Sequence, residues 1–251
     1  MIEIRNLTAS YGRKEVLSDI SLTLENGSLT SIVGPNGSGK STLLKCISNL
    51  EKIYTGDILV DGINTGTMSS RELARHVSYL AQSRNVPDIS AGRMVLHGRF
   101  PYLSYPRSYR KEDFEIAEEA MQKVDALQYR DLPVSTLSGG QRQKVYIAMS
   151  LAQETENILL DEPTTYLDIH IQHELMKTMS RMKDEGRAVV MVIHDLISAL
   201  KYSQKIIVLD EGRVVISGTP DEIFESGVLD KIFETKLNRA MIEGVWQYFY
   251  E

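Results

Sequence analysis

Leu29-Thr30-Ser31-Ile32-Val33-Gly34-Pro35-Asn36-Gly37-Ser38-Gly39-Lys40-Ser41-Thr42-Leu43-Leu44 is the stretch that decides the architecture. Strand-forming residues from Leu29 to Val33 run into a loop of spacing G-x-x-x-x-G-K-S, and helical spacing takes over from Thr42 to Leu50. A strand that feeds a glycine-rich loop and then a helix is suited to cradle phosphate. Glycines at 34, 37 and 39 let the backbone curl until several N–H groups point at the same oxygens. The helix beginning near Lys40 adds the positive end of its dipole. Lys40 has the reach to meet β- and γ-phosphates, and the Ser41 hydroxyl is suited to ligate Mg²⁺. Asn36, Ser38 and Thr42 are assigned to the same pocket. The loop predicts a bound nucleoside triphosphate; a chance glycine-rich turn is the alternative, and the full spacing in this context disfavours it.

Outward from the loop, Ile2 and Ile4, then Ile20, Leu22 and Leu24, alternate as strands with one buried face. Asn26-Gly27 reads as a hairpin turn into Leu29, and Asp61-Gly62 marks a turn after a short strand from Ile58 to Val60. From 85 to 152 helical segments dominate, near Ser90 to His97, Lys111 to Val124 and Arg142 to Ala152, with proline-rich loops between them. Strand-like runs return at Ile158 to Leu160, Ala188 to Ile193 and Ile206 to Leu209. Alternating strands and helices predict an α/β fold with a mostly parallel sheet and a helical insertion. The 251 residues, 42% hydrophobic and 25% charged, are ordinary globular composition and argue against disorder. The longest aliphatic run is too short to span a bilayer, and the start lacks a signal-peptide pattern. One cysteine, Cys46, excludes an internal disulfide framework. The chain therefore reads as soluble and intracellular. Its 28 basic and 34 acidic residues give a net charge of −6, no global reason to expect nucleic acid.

Ile158-Leu159-Leu160-Asp161-Glu162 places two acids at the end of an apolar strand, where open α/β sheets put ligands. Asp161 is suited to hold Mg²⁺ through a water and Glu162 to polarise an attacking water as general base. A solvated acidic turn before Pro163 is the bland alternative. Asn157 sits where another apolar residue is usual, so the strand is expected to begin late.

Leu137-Ser138-Gly139-Gly140-Gln141 lies at the head of a predicted helix, between the phosphate loop and Asp161-Glu162. With this ordered set, nearly the whole chain resembles the ATP-binding cassette ATPases. The resemblance implies a P-loop NTPase (RecA-like) parallel-sheet core with an N-terminal antiparallel β subdomain and an inserted helical subdomain. As a single domain, 1–84 and 153–251 would form the catalytic core with the β subdomain, and 85–152 the helical part. It implies that Ser138, Gly139, Gly140 and Gln141 are the signature motif that meets the γ-phosphate held by the opposite protomer. By the same resemblance Tyr11 stacks on adenine, Gln82 links Mg²⁺ and water to the partner-facing region, Asp168 is the D-loop acid across the interface, and His194 is the switch histidine near the γ-phosphate. Each has a plainer reading as a surface or structural residue. His170 and His173, three apart on a predicted helix, lack an evident third metal ligand and read as a solvated face.

The resemblance further implies two chains packed head to tail around two ATP molecules, with separate transmembrane permease subunits at the cytoplasmic face of the membrane and an extracytoplasmic substrate-binding protein acting indirectly. Gly98-Arg99-Phe100-Pro101-Tyr102-Leu103-Ser104, followed by Asp161-Glu162-Pro163-Thr164-Thr165-Tyr166-Leu167-Asp168, looks like the importers of iron–siderophore complexes, haem and cobalamin, with ferric siderophore the leading cargo. A zinc or manganese importer and a soluble cassette ATPase working on a macromolecular complex are the alternatives. Arg99, Arg107, Arg110 and Lys111 interleave with Phe100, Tyr102, Tyr105 and Tyr109. Such a pattern suits single-stranded nucleic acid or a permease near anionic headgroups; acidity and resemblance favour the second. The aromatic end, Trp246-Gln247-Tyr248-Phe249-Tyr250, is open between capping the core and forming a contact surface.

Overall fold

The computed structural model of the chain describes residues 1–251 except Arg13, Ser83, Arg84, Asn85 and Tyr166, and except the side chains of Tyr11 and Tyr54. In chain order the strands and helices begin β1 (Ile2–Tyr11), β2 (Lys14–Leu24), β3 (Leu29–Val33), α1 (Lys40–Ile47), β4 (Ile53–Val60), β5 (Ile63–Asn64), α2 (Ser70–Leu73) and β6 (Val77–Leu80). A helical stretch follows: α3 (Ala91–Leu96), a 3-10 segment (His97–Tyr102), α4 (Lys111–Lys123) and α5 (Gly139–Ala152). The chain then alternates through β7 (Asn157–Asp161), α6 (Ile169–Asp184), β8 (Ala188–Val192), α7 (Leu196–Tyr202), β9 (Lys205–Asp210) and β10 (Arg213–Gly218). It finishes with α8 (Pro220–Glu225), α9 (Val228–Phe233) and a hairpin, β11 (Leu237–Ile242) and β12 (Val245–Tyr250).

Every residue of β3, β7 and β8 is buried, so these strands must present apolar side chains to both faces. The two-residue period does this. In β8, Val189 and Met191 enter one core cluster while Val190 and Val192 enter another; in β7, Ile158 and Leu160 part from Leu159 in the same way. The sheet they build has the order β10-β9-β3-β8-β7-β6, parallel throughout except for the antiparallel edge β10. On one face, α1 shares its cluster with the inward sides of β1, β2 and β4. Those strands form a separate antiparallel sheet, β2-β1-β4-β5. On the other face lie α5 and α6, and α3, α4 and α5 pack on one another beyond them. A fully buried aliphatic side chain contributes about 1.5–3 kcal/mol relative to exposure, which is the size of the entropy lost in ordering one such residue, so strands this short need burial on both faces to offset it.

Two expectations are corrected. Asn26-Gly27 is not a hairpin: β2 belongs to the antiparallel sheet and β3 to the parallel one. The turn carries the chain from one sheet to the other, because the continuous burial of β3 demands two covered faces. Asp61-Gly62, with φ of 51° and 80°, does close a tight hairpin in which Val60 pairs with Ile63. Nor does the Asn157 strand begin late. Asn157 is its first residue, fully buried, and its Nδ2 donates to the His76 carbonyl at 3.0 Å and to both Asp61 carboxylate oxygens at 3.4 Å. Its amide joins the start of the parallel sheet to the β4–β5 turn.

The helical stretch is held by a buried guanidinium. Arg99 bonds Asp113 at 3.1 Å, the Ala152 carbonyl at 2.8 Å and Glu154 at 2.7 Å, tying the 3-10 segment to α4 and to the C-terminal end of α5. At the other end of the chain, Leu237 and Tyr248 pack on α7 and α8 while Met241, Ile242 and Val245 stay exposed. The Arg239 guanidinium lies over Phe224 (4.7 Å) and Trp246 (4.2 Å), so the aromatic end in part caps a third core cluster. Cys46 is buried in α1, and burial, helped by the charge of Glu51, pushes its thiol up to about 12.

Replacing Asn157 by Ala removes these donations from a site shielded from water, and is expected to lower stability by roughly 1–3 kcal/mol. Urea denaturation followed by circular dichroism measures it; a loss below about 0.5 kcal/mol, the usual surface value, would show that the amide has no structural role.

Candidate active site

Parallel strands end on the same edge of a sheet, and here four consecutive strands deliver their following residues to one place. In the order β3-β8-β7-β6, the loops that leave them carry Gly34 to Lys40, His194, Glu162 and Gln82 respectively. The register is fixed by Ile32 opposite Val192 and Val192 opposite Asp161. The result is a polar cleft of about 650 Å³ lined by Val16, Asn36, Gly37, Gly39, Lys40, Ser41, Thr42, Gln82, Glu162, Thr165 and His194. It lies where open α/β sheets bind ligands.

The loop after β3 is held from behind. A methyl group on Gly34 would collide with the carbonyl of Leu209 on β9, so glycine is required by close approach. Gly39 has φ of 100° and sits against Val16 and Leu17, where a side chain would be both strained and crowded. The Ser38 carbonyl accepts a bond from the Gly212 N–H at 3.2 Å. The Ser38 hydroxyl is buried without a partner among the described residues. Lys40 is also buried, and its Nζ donates to the Gly34 and Pro35 carbonyls at 2.9 and 2.7 Å. Burial holds its pKa below the ordinary lysine value against the opposing charges of Glu162 and Asp161. α1 starts at Lys40, so its first N–H groups open towards the cleft.

Asp161 closes β7 and lies beneath the cleft rather than on its lining, only 2% exposed. Its Oδ1 accepts from Ser41 Oγ at 2.8 Å and its Oδ2 from the Tyr79 hydroxyl at 3.2 Å. Burial holds its pKa above the ordinary carboxylate value, against the opposing pull of those two hydrogen bonds. Glu162, the next residue, has φ of 51°, a strained conformation of the kind that clusters at functional sites. That backbone twist turns its side chain into the cleft. There His194 Nε2 lies 2.6 Å from Oε1, Gln82 Nε2 donates to Oε2 at 2.6 Å, and the Thr165 hydroxyl donates to Oε2 at 3.2 Å. Both carboxylate oxygens are therefore held by side chains from three different loops. Tyr79 and Thr165 were not anticipated from sequence. Tyr79 is an inconspicuous aromatic in an apolar strand, and only its register beside Leu159 brings it near Asp161.

The other expected residues fall elsewhere. Ser138, Gly139, Gly140, Gln141 and Asp168 are outside this cleft's lining. Ser138 caps α5 in a reciprocal box with Gln141, and α5 starts at Gly139, three residues before the expected Arg142. Asp168 caps α6 through the Ile171 N–H at 3.0 Å. The side chain of Tyr11, expected at adenine, and Tyr166 lie outside the described residues. His170 is open to solvent, whereas His173 Nδ1 meets the Tyr202 hydroxyl at 2.6 Å. Among the basic and aromatic residues from 99 to 111, Tyr102 is covered by the guanidiniums of Arg99 and Arg75, and Phe100 by Arg107. Those rings are engaged within the chain.

Residues 17–165 match the sequence profile of the ABC transporter family. The chain is 41% identical over 246 residues to the petrobactin import ATP-binding protein YclP of Bacillus subtilis (strain 168), spanning 97% of each. It is 41% identical over 229 residues to the ferric enterobactin transport ATP-binding protein FepC of Escherichia coli (strain K12), covering 90% of this chain and 84% of the relative. Among solved structures it resembles the dimeric bacterial ABC transporter cassette MJ0796, with a TM-score of 0.78 at 30% identity, over 88% of this chain and 99% of that one. Sheet order, phosphate loop and these likenesses agree: the chain belongs to the ABC transporter family, as one of its ATP-hydrolysing cassettes.

Proposed function

We propose that the chain is the ATPase subunit of an importer of iron complexes, with ferric siderophores the favoured cargo, working at the cytoplasmic face of the membrane on separate permease subunits. The observation that carries the catalytic half is the clamp on Glu162, whose two oxygens are fixed by Gln82 and His194 opposite Lys40. The cargo half is supported by relatives named for petrobactin and ferric enterobactin, matched along most of their length. No described helix is long and apolar enough to cross a membrane, so passage of cargo falls to other subunits.

In this reading ATP lies with its phosphates against the N–H groups of 36–42 and the ammonium of Lys40. The adenine rests near Tyr11. Ser41, Gln82 and, through a water, Asp161 would hold Mg²⁺. A hydroxyl beside one carboxylate, 2.8 Å apart, fits an ion that takes few protein ligands and completes its shell with phosphate and water. Among the described residues no group of three His, Cys, Asp or Glu exists that would suggest a closed metal cage. The ion, when bound, neutralises charge on the phosphates. Glu162 takes the proton of the attacking water as its oxygen meets the γ-phosphorus, and ADP departs. His194 and Gln82 keep the carboxylate aimed. A second copy, related by two-fold symmetry, brings Ser138, Gly139 and Gly140 to the same phosphate and Asp168 to the interface. ATP then closes the dimer and its hydrolysis releases it.

Three experiments test this. Glu162→Gln keeps ATP binding but slows hydrolysis about 10²–10⁴-fold, the range for lost acid–base help; near-normal turnover in a phosphate-release assay removes Glu162 from the role. Lys40→Ala removes a charge-assisted contact, so calorimetry is expected to read about 10–100-fold weaker ATP binding, and an unchanged constant would contradict the assignment. Tagged Glu162→Gln chain purified from detergent-solubilised native membranes is expected to bring down a multi-spanning permease identifiable by mass spectrometry. Recovery of soluble partners alone sinks the transport reading.

A further inference from the structure

The two glycines that open α5 do different things. At Gly139 an added side chain would meet nothing within 4 Å, so this residue leaves the surface open. At Gly140 the corresponding space is already taken by Ile171 of α6, whose Cγ1 and Cγ2 come to 3.6 and 3.7 Å of that position and whose Cδ1 comes closer still. Ile171 is also the residue whose backbone N–H is bound by the Asp168 carboxylate at 3.0 Å. One residue thus holds Asp168 with its main chain and seats α5 with its side chain.

One helical turn further along, the contact repeats. Lys144, four residues after Gly140, places Nζ 2.8 Å from Glu174, three residues after Ile171, and 3.5 Å from Asp125. The i, i+4 and i, i+3 spacings keep both contacts on the facing sides of α5 and α6. Burial acts to lower the Lys144 pKa, but the bonds and charges of Glu174 and Asp125 outweigh it, so the ammonium stays charged. A third tie reaches the cleft: Gln143 Nε2 donates at 2.9 Å to the carbonyl of Pro163, the residue after Glu162.

We propose that Ile171 and Lys144 are positioning residues that make the starts of α5 and α6 one rigid unit, presenting Ser138-Gly139-Gly140 and Asp168 at a fixed spacing to a second copy's nucleotide. The proposal rests on the head-to-tail dimer reading above. It assigns a duty to residues that touch neither ATP nor the cleft lining. If the unit loosens, each chain still binds ATP at its own phosphate loop, but the two outward groups no longer arrive together, and closure of the dimer suffers.

The test uses the full chain carrying Glu162→Gln, with ATP and Mg²⁺, and reads the monomer–dimer equilibrium by light scattering beside melting temperature and the monomer's ATP affinity, taken at protein concentrations too low for dimerisation. Adding Ile171→Ala is expected to weaken ATP-driven dimerisation at least about tenfold while ATP affinity stays within about twofold, and Ile171→Val to restore most of it. Lys144→Gln, at a partly solvated ion pair, is expected to move the same equilibrium in the same direction, and it carries the test if Ile171→Ala does not fold. Dimerisation equal to the parent's in both variants overturns the proposal. So does a loss of dimerisation matched by an equal loss of ATP affinity, which marks a merely structural role. Failure of the Glu162→Gln parent itself to dimerise sinks the head-to-tail reading beneath it, a result distinguishable because it precedes any change at Ile171 or Lys144.

Discussion

Parallel pairing of β3 with β8 and β9 is the constraint on which everything in the cleft depends. Neighbouring strands stand about 4.8 Å apart, so the register that sets Ile32 beside Val192 and Val192 beside Asp161 spaces β3 and β7 by roughly 10 Å. That separation is bridged from both sides, by Ser41 reaching Asp161 and by Glu162 reaching forward from its left-handed turn. No single loop contains the site. It exists because parallel strands must all return through crossovers on the far side, leaving their C-terminal ends free together.

The same constraint divides the chain's chemistry into two halves. The strand ends supply the phosphate loop, Glu162, Gln82 and His194 to one cleft. The helix starts at Ser138 and Asp168 are outside that cleft, and their side chains are spent on capping their own helices. Capping keeps these polar groups oriented without burying them, which is what the proposed dimer requires of the groups it brings to a second copy. The buried Arg99, gripping the far end of α5 through the Ala152 carbonyl, steadies the helix along its length. Such a buried cation is tolerated because Asp113, Glu154 and a carbonyl together satisfy its fork.

Much of this was legible in the sequence, for reasons that differ by residue. The phosphate loop was readable because its spacing and glycine content are what a phosphate cradle needs, and β3, β8 and β9 were readable from apolar runs. Asp161 and Glu162 were readable from their place after such a run. The turn at Asn26-Gly27 was misread because local turn chemistry says how the chain bends and nothing about which sheet receives it. Asn157 was misread because a polar residue in a strand looks like an interruption until Asp61 and His76, distant in sequence, supply its partners. Tyr79 and Thr165 carried no signal of their own, since a hydroxyl near a carboxylate is a product of register. The seating of Ile171 on Gly140 belongs to the same class: glycine announced a ligand, while half of the pair was answering a helix.

Cys46 has a practical meaning beyond packing. It is the chain's single sulfhydryl, it is fully enclosed in α1, and its thiol is pushed up to about 12, so at neutral pH almost none of it exists as the reactive thiolate. Alkylating reagents will pass it by in the folded chain. A cysteine introduced on the surface beside Asp168 or Ser138 would then be the one thiol open to a fluorophore or spin label, in a molecule needing no prior removal of its own. The fold has in effect left the natural chain blank for site-specific labelling.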